Sequence, residues 1–186
     1  ILGMTPQDIS DLRAADRIRG HFAAEGKHAI CYGMGNGLDD VKSVSNVEKH
    51  IVVAPAALEA AKYLERTFGT PYEIAYPLVD ELVYDMDYSG KKVLVVRQQV
   101  IGNAIREEIL KKTPDVQVTV ASWFMMKSEF RQDGDLHLRD EDDYMELVES
   151  GEFDVIYADH CMERMTPKFA GIFVDTVHFA VSGRLK

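Results

Sequence analysis

Cysteine is nearly missing from this sequence. The two thiols, Cys31 and Cys161, lie far apart and neither has a close-spaced companion. That spacing excludes a disulfide framework and a zinc site of the Cys-x-x-Cys kind. Positive charge is scarce as well: 21 Lys and Arg face 31 Asp and Glu, for a formal net charge of −10. A nucleic-acid backbone or an anionic membrane surface requires clustered cations, so both are excluded as partners. No apolar run approaches the roughly 20 residues that a membrane-spanning helix needs, and no signal-like segment opens the chain. A reducing cytoplasm is the setting these features predict. Gly-x-Ser-x-Gly, P-loop and His-Glu-x-x-His motifs are all missing, which removes the common hydrolase, nucleotide-cleaving and zinc-protease readings. Asp133-Gly134-Asp135 has its glycine in the wrong place for a calcium loop, and the acids at 140–143 read as charge at a helix N-terminus.

What is present is a repeated strand and helix grammar. The clearest unit runs over residues 50–77, HIVVAPAALEAAKYLERTFGTPYEIAYP. Ile51, Val52 and Val53 form a short apolar run, and Pro55 sits where a first helical turn needs no amide donor. Leu58, Ala61, Leu64 and Phe68 follow at helical spacing. Gly69 then supplies a left-handed cap and Pro71 blocks continuation, so the chain re-enters a sheet at residues 72–75. This is one crossover unit of a parallel sheet.

Upstream, residues 1–4 read as a strand with no leader before it, which predicts a piece cut from a longer polypeptide. Thr5-Pro6-Gln7-Asp8 starts a helix whose buried face is Ile9, Leu12, Ala15, Ile18 and Phe22. A strand over 28–32 follows, then the turn Gly33-Met34-Gly35-Asn36-Gly37 and a short helix from about Leu38. The second half restarts at Ser89-Gly90-Lys91-Lys92 with Val93 to Val96, a run that suits a strand buried on both faces. A helix through Ile101, Ala104, Ile105 and Ile109, a strand over 116–120, a helix over 140–150 and strands over 155–158 and 172–177 complete it. Residues 128–139 read as a surface loop. The predicted fold is α/β, with two Rossmann-like lobes at 1–87 and 88–186, each a mostly parallel sheet flanked by helices. A cleft lies between them.

Ligands of open parallel sheets bind beyond the carboxyl ends of strands, so four strand-end turns are candidates. At Gly33, Gly35 and Asn36, close glycines let backbone amides approach an anion or a flat cofactor; the alternative is a tight strand-to-helix turn. Arg97, Gln98 and Gln99 place a cation and two amides after the apolar run, where the guanidinium either holds a carboxylate or phosphate or is a solvated rim arginine. Asp159, His160 and Cys161 are the one place where three metal-binding or acid–base types adjoin, though adjacent residues seldom converge on one ion. His178, after the last predicted strand, is a candidate proton donor or ligand; the alternative is a structural histidine.

The opening ILG-x-TP, the AAKYLE and FGTPY of the crossover unit, the restart SGKKVLVV, the helix QQVIGNAIREEIL and the strand FDVIYAD together resemble the nitrogenase-type component 1 oxidoreductase superfamily. The likeness extends over essentially the whole chain and corresponds to the middle and C-terminal lobes of such a subunit. It implies an oxidoreductase subunit that pairs with a homologous component 1 subunit. Electrons then reach its bound substrate or metal cofactor from an ATP-dependent iron–sulfur reductase. The alternative on the same fold is a non-catalytic cofactor-assembly scaffold or a metal- or tetrapyrrole-binding protein.

The resemblance also implies that the relaying iron–sulfur cluster is held by an N-terminal lobe this chain lacks. No cofactor, and no turnover, is therefore expected of this portion alone. In the molybdenum enzymes the active-site cluster hangs from one cysteine and one histidine. An ungapped correspondence puts Val53 at the cysteine position and Val177 at the histidine position, one residue from His178, which speaks against that cluster here. Arg97 stands where many relatives have glycine. The resemblance directs the candidate contacts to backbone near Gly35, with Arg97, Gln98, Asp159 and His178.

Overall fold

The computed structural model describes residues 1–33 and 36–186. Thr5 caps α1 (Pro6–Ile9), its hydroxyl oxygen accepting from the Asp8 amide at 3.3 Å. The helix anticipated to run on to Phe22 breaks here instead. Ser10 adopts φ 64°, and the chain resumes as α2 (Ala14–Ala24). The break is fixed by partners distant in sequence: the Ser10 carbonyl accepts from the Lys186 amide at 2.9 Å, and the Leu12 amide donates to the Lys186 carbonyl at 3.1 Å. Leu12 is consequently exposed rather than part of the buried face. A short α3 (Leu38–Lys42) follows, as anticipated.

The first sheet holds β1 (His50–Val52) and β2 (Tyr72–Ile74), paired in parallel. The crossover α4 (Leu58–Phe68) ends on Gly69 at φ 75°. Leu58, Ala61 and Leu64 are buried as their spacing demands, but Phe68 in the last turn is exposed and meets Tyr63 edge-on. The opening segment joins this sheet through the single bridge Leu2 to Val52. On its far side the Ile1 amine donates to Ile30 O at 2.7 Å and the Tyr32 amide to Ile1 O at 2.9 Å. The anticipated strands at 1–4 and 28–32 are thus present as ladder contacts rather than as full strands.

The second sheet is β3 (Lys92–Val96), β4 (Gln117–Ser122), β5 (Leu136–His137), β6 (Val155–Ala158) and β7 (Ile172–Asp175). They lie in the order β5-β4-β3-β6-β7, all parallel. The central place of β3 explains its unbroken valine and leucine run, since both its faces are covered. Between the strands lie α5 (Gln99–Lys112), α6 (Glu141–Gly151) and α7 (His160–Glu163), and α8 (Phe179–Ser182) follows β7. Helix α5 comes down tightly on the sheet at Gly102, where a Cβ would stand 2.7 Å from Val120 Cγ1.

Residues 128–139 are not the plain surface loop that their polarity suggested. Ser128–Phe130 form a 3-10 turn, β5 follows, and Phe130 and Asp135 are buried. The reason is a buried ion pair. Asp135 meets the Arg106 guanidinium of α5 and also accepts from the amides of Val120 at 3.1 Å and Gln132 at 2.9 Å.

The fold is therefore α/β, with parallel sheets flanked by helices. Its principal core draws on both sheets, with Ile51 of β1 in one cluster with Val93 and Val95 of β3 and Tyr157 of β6, joined by Met4, Ile18 and Ile101 from the flanking segments. Tyr88 and Tyr157 bond through their hydroxyls, and the Tyr84 amide donates to Tyr157 at 3.0 Å, tying the connecting segment to β6. Among the described residues no helix is long and apolar enough to cross a membrane.

Candidate functional site

A cleft of about 450 Å³ opens beyond the carboxyl ends of strands from both sheets. Pro55 and Ala56 after β1, and Gln7 and Asp8 on α1, form one wall. Ser122, Trp123, Phe124 and Met125 after β4 form the other, with Gln98 at its base and His178 and Ala180 closing the end.

The turn after β3 builds this place. Gln98 caps α5, its amide oxygen accepting from the Val100 amide at 2.7 Å, while its Nε2 donates to Val53 O at 2.7 Å across to the first sheet. Gln99 grips the backbone of Lys127 at both groups, donating to its carbonyl at 3.0 Å and accepting from its amide at 2.6 Å. Ser122 Oγ donates to Arg97 O at 2.6 Å. Backbone and amide bonds therefore fix the floor and the 122–127 wall.

Arg97 itself turns away from the cleft. Its guanidinium is buried and donates to Ile9 O at 3.2 Å, Asp8 O at 3.5 Å and Ser10 Oγ at 3.4 Å, covering the carbonyl end of α1. Burial pushes this group down to about 10.

Asp159 is fully buried behind the cleft. Oδ1 accepts from the Cys161 amide at 3.0 Å and lies 3.1 Å from Arg184; Oδ2 accepts from the His178 amide at 2.8 Å and the Ser182 hydroxyl at 2.7 Å. Burial alone would raise this carboxyl, but those donors hold it down at about 2. His178 follows β7 by three residues, as the N-cap of α8. Its ring stands 5.9 Å from that of Phe124, and its Nδ1 is buried without a partner. Burial first, and the Arg97 charge second, push the imidazole down to about 3, so it is neutral across the physiological range.

Of the residues singled out from sequence, Gln98 and His178 line the cleft, while Arg97, Gln99 and Asp159 sit behind it. His160 is exposed and pairs with Glu163 at 3.1 Å on α7. Asn36 bonds to Asp40 at 2.8 Å beside α3, and neither it nor Gly33 lines the cleft. Gly35 lies outside the described residues. The wall at 122–125 was overlooked from sequence. The signal was available: it is the turn beyond the carboxyl end of β4, and it carries the chain's single tryptophan.

No family model and no curated protein matches the sequence. Among solved structures, one described as "Nitrogenase Cp1 at pH 6.5" superposes with a TM-score of 0.57 over 91% of this chain, at 13% identity. The fold is nitrogenase-like. At that identity the likeness establishes architecture alone, and this chain spans only 50% of the matched chain.

The residues of this nitrogenase-like fold do not fit the cluster that the family resemblance brings with it. Val53, at the position expected for a cysteine, is fully buried and aliphatic. Cys31 is buried with Sγ 3.7 Å from Ala15 O, and Cys161 sits on α7 beside Asp159. Neither lines the cleft. Among the described residues no group of three or more His, Cys, Asp and Glu is arranged to hold a metal ion.

Proposed function

We propose that this chain is the ligand-binding portion of a nitrogenase-like component 1 oxidoreductase subunit. Substrate or cofactor sits in the cleft between a first lobe, residues 1–87, and a second, 88–186. The observation that carries the reading is the cleft itself. It gathers strand ends from two parallel sheets, within a nitrogenase-like fold that extends over 91% of the chain. Parallel α/β folds place their ligands in such crevices. Electrons reach the site from an ATP-dependent iron–sulfur reductase. The iron–sulfur ligands belong to an N-terminal lobe outside this sequence, and a homologous subunit completes the assembly in the cytoplasm.

Within the cleft, His178 acts on the ligand as a neutral imidazole, donating or accepting according to its tautomer. Gln98 contacts the ligand, and Arg97, Gln99 and Asp159 position the groups that do. The test is anaerobic, ATP-dependent reduction of the longer polypeptide by its cognate reductase. Pigment bound in the cleft is followed in the visible spectrum, with His178→Leu as the variant. Electron uptake in the parent and loss of the bound chromophore in the variant are expected. A parent that takes up no electrons overturns the enzyme reading.

A carrier or cofactor-assembly scaffold is the second reading, favoured by the cleft's lack of a thiol anchor. It predicts a ligand that is bound, released to a second protein and never reduced.

A further inference from the structure

Ser10 holds a backbone conformation that suits glycine. Its φ of 64° lies in the left-handed region, which costs any residue with a Cβ, and the side chain is buried. Its backbone bonds do not explain the choice of serine. The amide donates to Pro6 O at 2.9 Å to close α1 and the carbonyl accepts from the Lys186 amide at 2.9 Å, and a glycine makes both. What glycine lacks is the hydroxyl, whose oxygen accepts from the Phe179 amide at 2.8 Å and from Arg97 Nη1 at 3.4 Å.

The bond to Phe179 has the larger consequence. Phe179 opens α8, and the first amides of a helix have no partner within it. A side chain at the N-cap ordinarily accepts from them, but His178 makes no such bond. The acceptors come from afar. Asp159 takes the His178 amide at 2.8 Å and the Ser182 hydroxyl at 2.7 Å, and Ser10, 169 positions away in sequence, takes the Phe179 amide. Asp159 ties α8 to the end of β6, whereas Ser10 ties it to α1. This turn brings His178 and Ala180 to the end of the cleft, and Gln7 and Asp8 of α1 line the adjoining wall. The Ser10 hydroxyl joins that wall to that end directly.

We infer that Ser10 is a positioning residue of the cleft: its hydroxyl caps α8 from a distance and fixes His178 and Ala180 against the α1 wall. The inference rests on the cleft being the ligand site, and it names the bond that sets the site's geometry at that corner.

Native-state hydrogen exchange on the 186-residue chain tests it with Ser10→Gly and Ser10→Ala, neither of which accepts from the Phe179 amide. The amides of Phe179, Val181 and Ser182 report on α8, and those of Leu94 and Val95 in β3 report global opening. Glycine relieves the backbone strain while losing the hydroxyl, so the β3 amides should change by less than about threefold. The α8 amides should exchange about fivefold faster or more. Alanine keeps the strain and should speed both sets. His178 is held at about 3 by burial first and the Arg97 charge second, with Asp159 opposing them. In Ser10→Gly its ring protons, followed by NMR, should titrate at a higher pH than in the parent. A serine needed for the turn alone predicts the reverse for glycine, with unchanged or slower α8 exchange and His178 unmoved, and that result overturns the inference. Equal acceleration of the α8 and β3 amides in Ser10→Gly overturns it too, as does loss of folding in both variants, which makes Ser10 a support of the whole fold. No ligand enters these measurements, so their failure leaves the cleft reading standing, and failure of the electron-uptake test leaves the exchange pattern standing.

Discussion

Asp159→Asn offers the sharpest check on how the cleft is held. The carboxylate has four donors around it, two on each oxygen, from the turns after β6 and β7. An asparagine in the same place keeps one acceptor oxygen and turns an NH2 toward two donors. Hydrogen bonds to charged groups contribute about 1.5–3 kcal/mol each. Arg184 is partly exposed, at 39%, so its share is discounted. The expected loss is about 3 kcal/mol at neutral pH.

Linkage gives an independent figure. The carboxyl is depressed from its ordinary 3.8 to about 2 in the folded protein. Its contribution is complete above the unfolded value and disappears as pH falls through the folded one, which amounts to about 2 kcal/mol. The two routes agree in size and dictate a pH signature. Urea unfolding of parent and variant at pH 7, 5, 4 and 3 should show a constant difference above about pH 5 and a shrinking one below about pH 4. A variant within about 0.5 kcal/mol of the parent at pH 7, or a difference independent of pH, would refute the reasoning.

Three further outcomes are expected. Gly102→Ala should destabilise by about 1–2 kcal/mol in chemical denaturation despite alanine's better helix propensity, because its Cβ meets the stiff Val120 side chain. His50→Leu should leave stability unchanged or raise it by up to about 2 kcal/mol, since both ring nitrogens of this fully buried histidine lack partners. Burial lowers the His50 imidazole from its ordinary 6.5, so it costs the parent stability as pH drops below that value, and the variant should lose less between pH 7 and 5 in the same assay. Gln98→Met should cost about 2 kcal/mol, having lost a helix cap and the bond to Val53, and should raise amide exchange at the start of α5.

The parallel units were readable because their signals are local. Pro55 and Gly69 bracket α4, and the run Val93–Val96 has the composition of a strand covered on both sides. What escaped was set by distant partners. The break at Ser10 depends on Lys186, and the burial of Asp135 depends on Arg106, 29 positions away. Neither leaves a trace in nearby sequence, since an arginine on a helix and an aspartate in a polar stretch both read as solvated. In the candidate site the rule of strand ends located Gln98 and His178 but could not say which way Arg97 would turn. Direction is decided by what lies opposite, here the bare carbonyls of a four-residue helix.

That choice of direction shapes the chemistry of the cleft. A cation at the end of a central strand has two uses, to bind an anion or to join pieces of the fold, and one guanidinium cannot fully serve both. By spending Arg97 on α1, the chain fastens its opening segment to the second sheet. Gln98 fastens β1's end to the same turn, and Gln99 with Ser122 fastens the wall that carries Trp123. All these bonds run from three consecutive residues, so the cleft walls are held from one point. The floor is thereby tied to both walls by hydrogen bonds. What faces the cleft is then decided by the turn after β4, whose Trp123, Phe124 and Met125 line it.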